Sequence, residues 1–396
     1  MPALSDIVDR LATVEATLPA DGCAGTLVGR IWDPDAGGPS PVVVLDDAVH
    51  DLSSSYSTVR DLCEEPAPAD AARNAAGRRL AGLAELVEAT RAGDVDRPRL
   101  LAPVDLQTLK AAGVTFAVSM IERLIEERVR GDFAAAAAMR DRIQEEIGAD
   151  LAAITPGSPE AERLKNFLSG RGLWSQYLEV GIGPDAEIFT KAPTLAAVGT
   201  WARVGVPTSS AWNNPEPEVA LVTSSRGEAV GATLGNDVNL RDVEGRSALL
   251  LPQAKDNNAS CALGPFVRLF DDTFTLADVR DVTVELDVHG EEGFHLHDSS
   301  PMSQISRDPE ILVEQLFRTH DYPDGAVLML GTLFAPVVER GTQGRGFTHR
   351  RGDIVRIAAS QLGSIVNEVQ HCHDCPAWEF GIRALMTNLA RRGLLG

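Results

Sequence analysis

Positive charge is what this chain of 396 residues most lacks. It carries 36 Lys and Arg against 57 Asp and Glu, a formal net charge of −21. With no basic stripe to meet phosphates, neither nucleic acid nor an anionic membrane is expected as a partner. Long apolar runs are missing too: no stretch approaches the roughly 18 residues needed to span a bilayer. The first residues, MPALSDIVDRLATVEATLPADG, show no basic region followed by an apolar one, so no secretory signal is expected. Cysteine is scarce. The five present (Cys23, Cys63, Cys261, Cys372 and Cys375) are odd in number and scattered, which excludes a disulfide framework and fits reduced thiols in a cytoplasmic protein.

What is present is enough apolar material, 44% of the residues, for a large core, and a length that suggests two domains. Residues 25–62 read as strand, Gly/Pro-rich turn, strand and the entry to a helix, and residues 69–92 have helical composition. A small N-terminal α+β domain over 1–104 is expected, with RPRLLAP as its linker to a second domain over 105–396. Residues 116–153 are strongly helical in pattern, broken near Gly131. Beyond about 213 the pattern becomes β-rich: EVALVTS, EAVGATL, VTVELDV, GAVLMLGT and DIVRIAA, interrupted by the helical SRDPEILVEQLFRTH. The amphipathic WEFGIRALMTNLARRGLL is expected to cap the core.

The stretch NNPEPEVALV holds the first chemical signal. Glu216 and Glu218 lie one residue apart, just ahead of an apolar strand. EVALVTS-SRG-EAVGATLGND reads as a β-hairpin, and a two-residue turn at Arg226-Gly227 places Ser225 opposite Glu228, Val222 opposite Gly231 and Glu216 opposite Asp237. Residues two apart share a face, so Glu216, Glu218 and Asp237 are expected to converge. Clustered carboxylates repel one another unless a cation holds them, and the oxygen set suits Mg2+, with Mn2+ or Ca2+ as substitutes. Lys255 follows in a Gly/Asn-rich region able to return to the same place, where a lysine can move a proton.

These residues together resemble the fumarylacetoacetate hydrolase family. The resemblance rests on Glu216-Pro217-Glu218, on Asn236-Asp237-Val238-Asn239-Leu240-Arg241-Asp242, on Lys255 with Gly264-Pro265, on Thr332 in LGTL, and on Gly352-Asp353, Leu362-Gly363 and Asn367. It spans roughly residues 110–370. It implies an α+β fold with a mixed β-roll core, a helical lid near 115–170, Mg2+ held by Glu216, Glu218 and Asp237, a 2-oxo acid substrate and a homodimer or dimer of dimers. Departures from the family pattern choose among reactions. Hydrolytic members carry a lid His-Glu pair that activates water; here Thr115-Phe116 replaces Asn-Tyr, Ser119 stands where the histidine belongs, and Glu122 keeps the glutamate. Glu244 replaces a substrate-contacting glutamine, and Leu333 replaces a proline.

The pattern resembles most the branch that dehydrates 2-keto-3-deoxy sugar acids. It implies a 2-keto-3-deoxypentonate of xylonate or arabinonate type as substrate, with 2,5-dioxopentanoate as product in oxidative pentose catabolism. Lys255 is then the expected base, Glu122 or Glu244 the acid, and Ser119, Arg241 and Thr332 bind substrate. The alternatives are an acylpyruvate or fumarylacetoacetate-type hydrolase, and a silent 2-oxo acid binder. Two further motifs are expected to be structural. QHCHDCPAW, with His371, Cys372, His373 and Cys375, reads as a loop in preference to a zinc knuckle; His295 and His297 in GFHLHD read as an exposed strand.

Overall fold

The computed structural model describes residues 3–116, 119–120, 124–125, 154–170, 172, 174–332, 334, 336, 338–340 and 346–395. Along them run β1 (Leu27–Asp33), β2 (Gly38–Leu45), β3 (Ala48–Asp51), β4 (Arg79–Gly82), β5 (Arg99–Leu100), β6 (Thr108–Gly113), β7 (Glu187–Ala192), β8 (Arg203–Val206) and β9 (Asn213–Asn214). There follow β10 (Pro217–Thr223), β11 (Ala229–Asp237), β12 (Asn239–Leu240), β13 (Cys261–Leu269), β14 (Thr283–His289), β15 (His295–Pro301), β16 (Ala326–Met329), β17 (Ile354–Ala359) and β18 (Gly363–His371).

A large mixed sheet runs β4-β3-β2-β1-β13-β11-β10-β16-β6-β7, with β5 added on β1. A smaller one runs β15-β14-β17-β18-β8. The two pack face to face: Val219, Leu221, Ala232 and Leu234 of the large sheet share one core with Val284, Leu286, Val288, Val355 and Ile357 of the small one. The alternate residues Ala220 and Val222 pack the other way, with Val28, Val43, Leu263 and Val267. Strands β10 and β13 are buried on both faces along their whole length. That is why they read as near-continuous apolar runs. The α+β class and mixed β-roll core hold.

The expected strands appear as β10, β11, β14, β16 and β17, and the expected helix appears as Pro309–Phe317. Several local expectations are corrected. The single helix over 69–92 is a helix at Pro68–Asn74, strand β4 and a helix at Leu83–Ala92. Strand β4 pairs with β3 at Ala48↔Gly82 and Val49↔Ala81, and that ladder overrides helix propensity. Within the expected linker, Arg99 and Leu100 pair with Trp32 and Ile31. The helix Ile382–Arg391 docks on the β1–β2 turn: Asn388 Nδ2 donates to the carbonyls of Ala36 (2.9 Å) and Gly37 (3.1 Å). Most of the helical pattern over 116–153 lies outside the described residues.

Strand β13 carries Pro265, which has no N–H for a ladder. Accordingly the β11–β13 register shifts between Ala232 and Leu234, then resumes through Gly235↔Leu263 to Asp237↔Cys261. On its other side β13 pairs with β1 at Leu27↔Arg268 and Val28↔Val267, so the first strands of the chain continue the sheet that carries the carboxylates.

Candidate active site

Strands β10 and β11 bring the first two elements together. Their register, Pro217↔Asn236 through Val222↔Gly231, is the one expected, and Asp237 N donates to Glu216 O (3.0 Å). The turn differs: Ser224 N bonds to Glu228 O, and the ladder slips between Val222 and Thr223. The longer loop and the bulge compensate, so the register at the far end is unchanged.

Glu216, Glu218 and Asp237 are all buried. One carboxylate oxygen from each lies within 4.8 Å of the others. Two lysines meet them. Lys255, at the end of the short helix Leu251–Lys255, points its Nζ between Glu216 Oε2 and Asp237 Oδ2 (2.9 Å). Lys191 of β7 meets the other oxygen, 2.7 Å from Asp237 Oδ1. Lys191 was not singled out in the sequence. It is fully buried, and its Nζ also donates to Val238 O (3.2 Å), Ser260 Oγ (3.3 Å) and the carbonyl of Lys255 itself. Its signal was a lone cation in the apolar run EIFTKAP, weak because nothing local names its partner.

With every group ionised, three carboxylates against two ammonium groups would carry one negative charge in excess inside the protein. Burial pushes the Glu218 carboxyl well above the usual range; Asp237 and Glu216 push the same way, and Lys255 and the Gly331 N–H only partly oppose them. Burial also raises Asp237, but Lys191 and Lys255 outweigh it and hold that carboxyl below its ordinary value. The residues fit a divalent cation: three hard oxygen ligands are preassembled, and the two charges of such an ion would favour loss of a proton from one of the neighbouring lysines.

The loop after β16 closes the site. Gly331 N donates to Glu218 Oε2 (2.7 Å). Gly331 has φ +97°, and a Cβ there would sit 2.0 Å from Thr115 Oγ1, so glycine is required. Thr115 Oγ1 in turn donates to Leu330 O (2.7 Å), tying the start of the expected lid to this loop. Thr332 is nearly buried beside Gly331, its Oγ1 accepting from Phe334 N (3.1 Å). Ser119 Oγ donates to Phe116 O (2.8 Å) and accepts from Phe116 N (3.3 Å).

Arg241 and Glu244, both buried, share the single turn Arg241–Glu244, which packs against the helix bearing Lys255. Arg241 Nη1 donates to Pro336 O (3.2 Å), and its guanidinium lies 4.6 Å from the Trp212 ring centroid. Asp242, by contrast, braces the loop ahead of β9, accepting from Ser210 Oγ (2.8 Å) and Ala211 N (2.7 Å). Glu122 and Leu333 lie outside the described residues. Asn239, between Asp237 and Arg241 in sequence, is fully buried with neither end of its amide bonded, a polar surface suited to a ligand.

A cavity of about 600 Å³ lined by Trp32, Arg99, Trp201 and Trp378 includes none of the residues above. Among the described residues, the groups able to share a metal include neither Cys372 nor Cys375; burial pushes the Cys375 thiol up to about 11.

Several known proteins are similar to this chain. Residues 175–370 match the family model described as fumarylacetoacetate (FAA) hydrolase C-terminal. The chain is 28% identical over 324 residues, 82% of its length and 93% of the relative's, to a probable 2-keto-3-deoxyxylonate dehydratase of Haloferax volcanii. A 2-dehydro-3-deoxy-D-arabinonate dehydratase of Saccharolobus solfataricus is 32% identical over 184 residues, 46% of this chain and 58% of the relative. Among solved structures, 2-keto-3-deoxy-D-arabinonate dehydratase complexed with magnesium and 2,5-dioxopentanoate is similar with a TM-score of 0.61 and 21% identity, over 87% of this chain and 99% of that one. A 5-carboxymethyl-2-hydroxymuconate delta-isomerase from Mycobacterium smegmatis is similar at 0.51 and 20% identity, over 87% and 98%. One fold thus serves more than one reaction, and the site must choose among them.

Proposed function

We propose, for a chain that belongs through residues 175–370 to the fumarylacetoacetate hydrolase family, that it is a hydro-lyase converting a 2-keto-3-deoxypentonate to 2,5-dioxopentanoate with Mg2+. The observation that carries the reading is the buried set of three carboxylates and two lysines. The names of the Haloferax and Saccharolobus relatives support the substrate class.

Glu216, Glu218 and Asp237 would hold the ion. The chemistry a divalent ion supplies at such a site is polarisation of a 2-keto oxygen, which acidifies the neighbouring C3 hydrogens. Two lysines then have different work. Lys191 is fixed by Asp237, Val238 O, Ser260 Oγ and Lys255 O, and it positions the backbone of Lys255. The amine of Lys255, its neutral form favoured by a divalent ion on the carboxylates, takes the C3 proton on Nζ. Glu244 or Glu122 gives a proton to the departing C4 hydroxyl, which leaves as water. The C3=C4 double bond then migrates: a C5 hydrogen leaves as a proton and C3 gains one, and the resulting C4=C5 enol takes a proton at C4 to become the aldehyde. Arg241, Thr332 and Ser119 face the substrate's polar groups in this reading.

We assign the N-terminal unit to 1–104 and the catalytic unit to 105–396, in a cytoplasmic homodimer or dimer of dimers. No helix among the described residues is long and apolar enough to cross a membrane. The test is a substrate panel with Mg2+, detecting the aldehyde product through a coupled dehydrogenase. The expected result is turnover of the sugar acid that EDTA stops. Cleavage of acylpyruvates with the sugar acid untouched would overturn the reading.

A further inference from the structure

The outer strand pair of the small sheet carries a second cluster. Strand β15 is that sheet's edge, joined to β14 by Gly290–Phe294. The ladder places His289 directly opposite His295 and Asp287 directly opposite His297. Residues two apart share a face, so all four side chains stand together, while Val284, Leu286 and Val288 of the same strand go into the core. The His289 and His295 rings stack at 4.4 Å, 6° from parallel. Asp287 Oδ1 lies 3.2 Å from His295 Nε2 and 2.9 Å from His297 Nδ1.

We propose that Asp287, His289 and His295, with His297 as fourth ligand, bind a borderline divalent cation of the Zn2+ class on the outer face of the small sheet. Ligand atoms of the first three already lie within 4.8 Å of one another. Metal–ligand bonds of about 2.0–2.2 Å in a tetrahedron set ligands about 3.3–3.6 Å apart, so small side-chain rotations close the site. Imidazole nitrogens select Zn2+, Ni2+ or Cu2+ over Mg2+, which prefers oxygen. The carboxylate has the outer support that metal ligands require: Arg356 Nη1 holds Asp287 Oδ2 at 2.8 Å, leaving Oδ1 for the ion, and is itself held by Glu285 Oε2 at 3.1 Å. A bound ion would cross-link β15 to β14 and fix the edge of the sheet.

The assignment is independent of the reaction proposed above. Zn2+ is titrated calorimetrically into the purified chain held in saturating Mg2+, and Cu2+ binding is followed by electron paramagnetic resonance. One Zn2+ per chain is expected, together with nitrogen hyperfine structure on Cu2+. The double substitution His289→Ala and His295→Ala should weaken Zn2+ by tenfold or more and remove the nitrogen signal, with Mg2+-supported turnover unchanged. No Zn2+ uptake by the unaltered chain in Mg2+ would overturn the proposal. So would uptake that survives the double substitution and instead follows Asp237→Asn or His371→Ala.

Discussion

The carboxylate cluster and the histidine cluster are built by the same backbone device and differ in their surroundings. Each takes alternate residues from two antiparallel strands: Glu216, Glu218 and Asp237 from the β10–β11 hairpin and its approach, Asp287, His289, His295 and His297 from β14 and β15. The first lies inside the protein, with every ligand 3% exposed or less. The second opens to solvent, with His295 and His297 side chains 44% and 55% exposed. In the first, burial makes an unbalanced charge expensive, and two lysines meet the carboxylates. In the second, water screens the charges, and only the identity of the ligand atoms selects an ion. The difference teaches that pairing geometry assembles a cluster, whereas burial decides whether the cluster must be occupied.

Substitutions can break this comparison, beginning with the deepest. Asp237→Asn should cost at least about a hundredfold in Mg2+ affinity, more than is typical of losing an outer support, and turnover with it. Isothermal titration checks this; retained Mg2+ affinity would remove Asp237 from the ligand set. Lys255→Ala should abolish turnover yet still bind Mg2+, separating proton transfer from ion binding in a single assay pair. Lys191→Met leaves Asp237 and two carbonyls without their buried cation. It should cost about 3–5 kcal/mol in stability by chemical denaturation, and lower kcat more than it raises KM in the folded fraction, since Lys191 acts through the backbone of Lys255.

A third ion pair isolates burial from metal chemistry. Arg340 donates to Asp353 with both side chains 1% exposed. Burial pushes the Asp353 carboxyl up, but Arg340, His349 and the Arg350 N–H outweigh it and leave it below its ordinary value. Its contribution is therefore complete above the unfolded carboxylate pKa of about 3.9 and fades as pH falls through the lower folded value. Asp353→Asn should lower the melting temperature at pH 7 and flatten its fall below pH 4; a parallel curve would deny the pair that role. The smallest effect belongs to the exposed cluster. Without transition metal, His295→Ala should change stability by no more than about 0.5 kcal/mol.

The carboxylate cluster was legible because strand alternation and a short hairpin fix register over few residues, and the bulge at Val222/Thr223 cancelled the error in the assumed turn. The histidine cluster was half legible. His295 and His297 were seen on one face, but pairing VTVELDVH with HLHDSSP across a five-residue loop would have added Asp287 and His289. Lys191 was not legible at all. Its place depends on β7 joining β6 at the far end of a sheet whose order no local pattern encodes. The same holds for β1 against β13. The helix expected over 69–92 failed because propensity is a local quantity, while Ala81 and Gly82 are claimed by Val49 and Ala48 of β3, 32 and 34 residues away.

That β1–β13 ladder sets a limit on dissection. The nine residues of β13 stand between β1 and the strand carrying Asp237. Expressing residues 105–396 alone would uncover β13 at Val267 and Arg268, where β1 pairs with it, and leave a short edge open to strand addition. The first hundred residues thus complete the sheet that carries the carboxylates, and a shortened chain would be expected to lose solubility or stability relative to the whole.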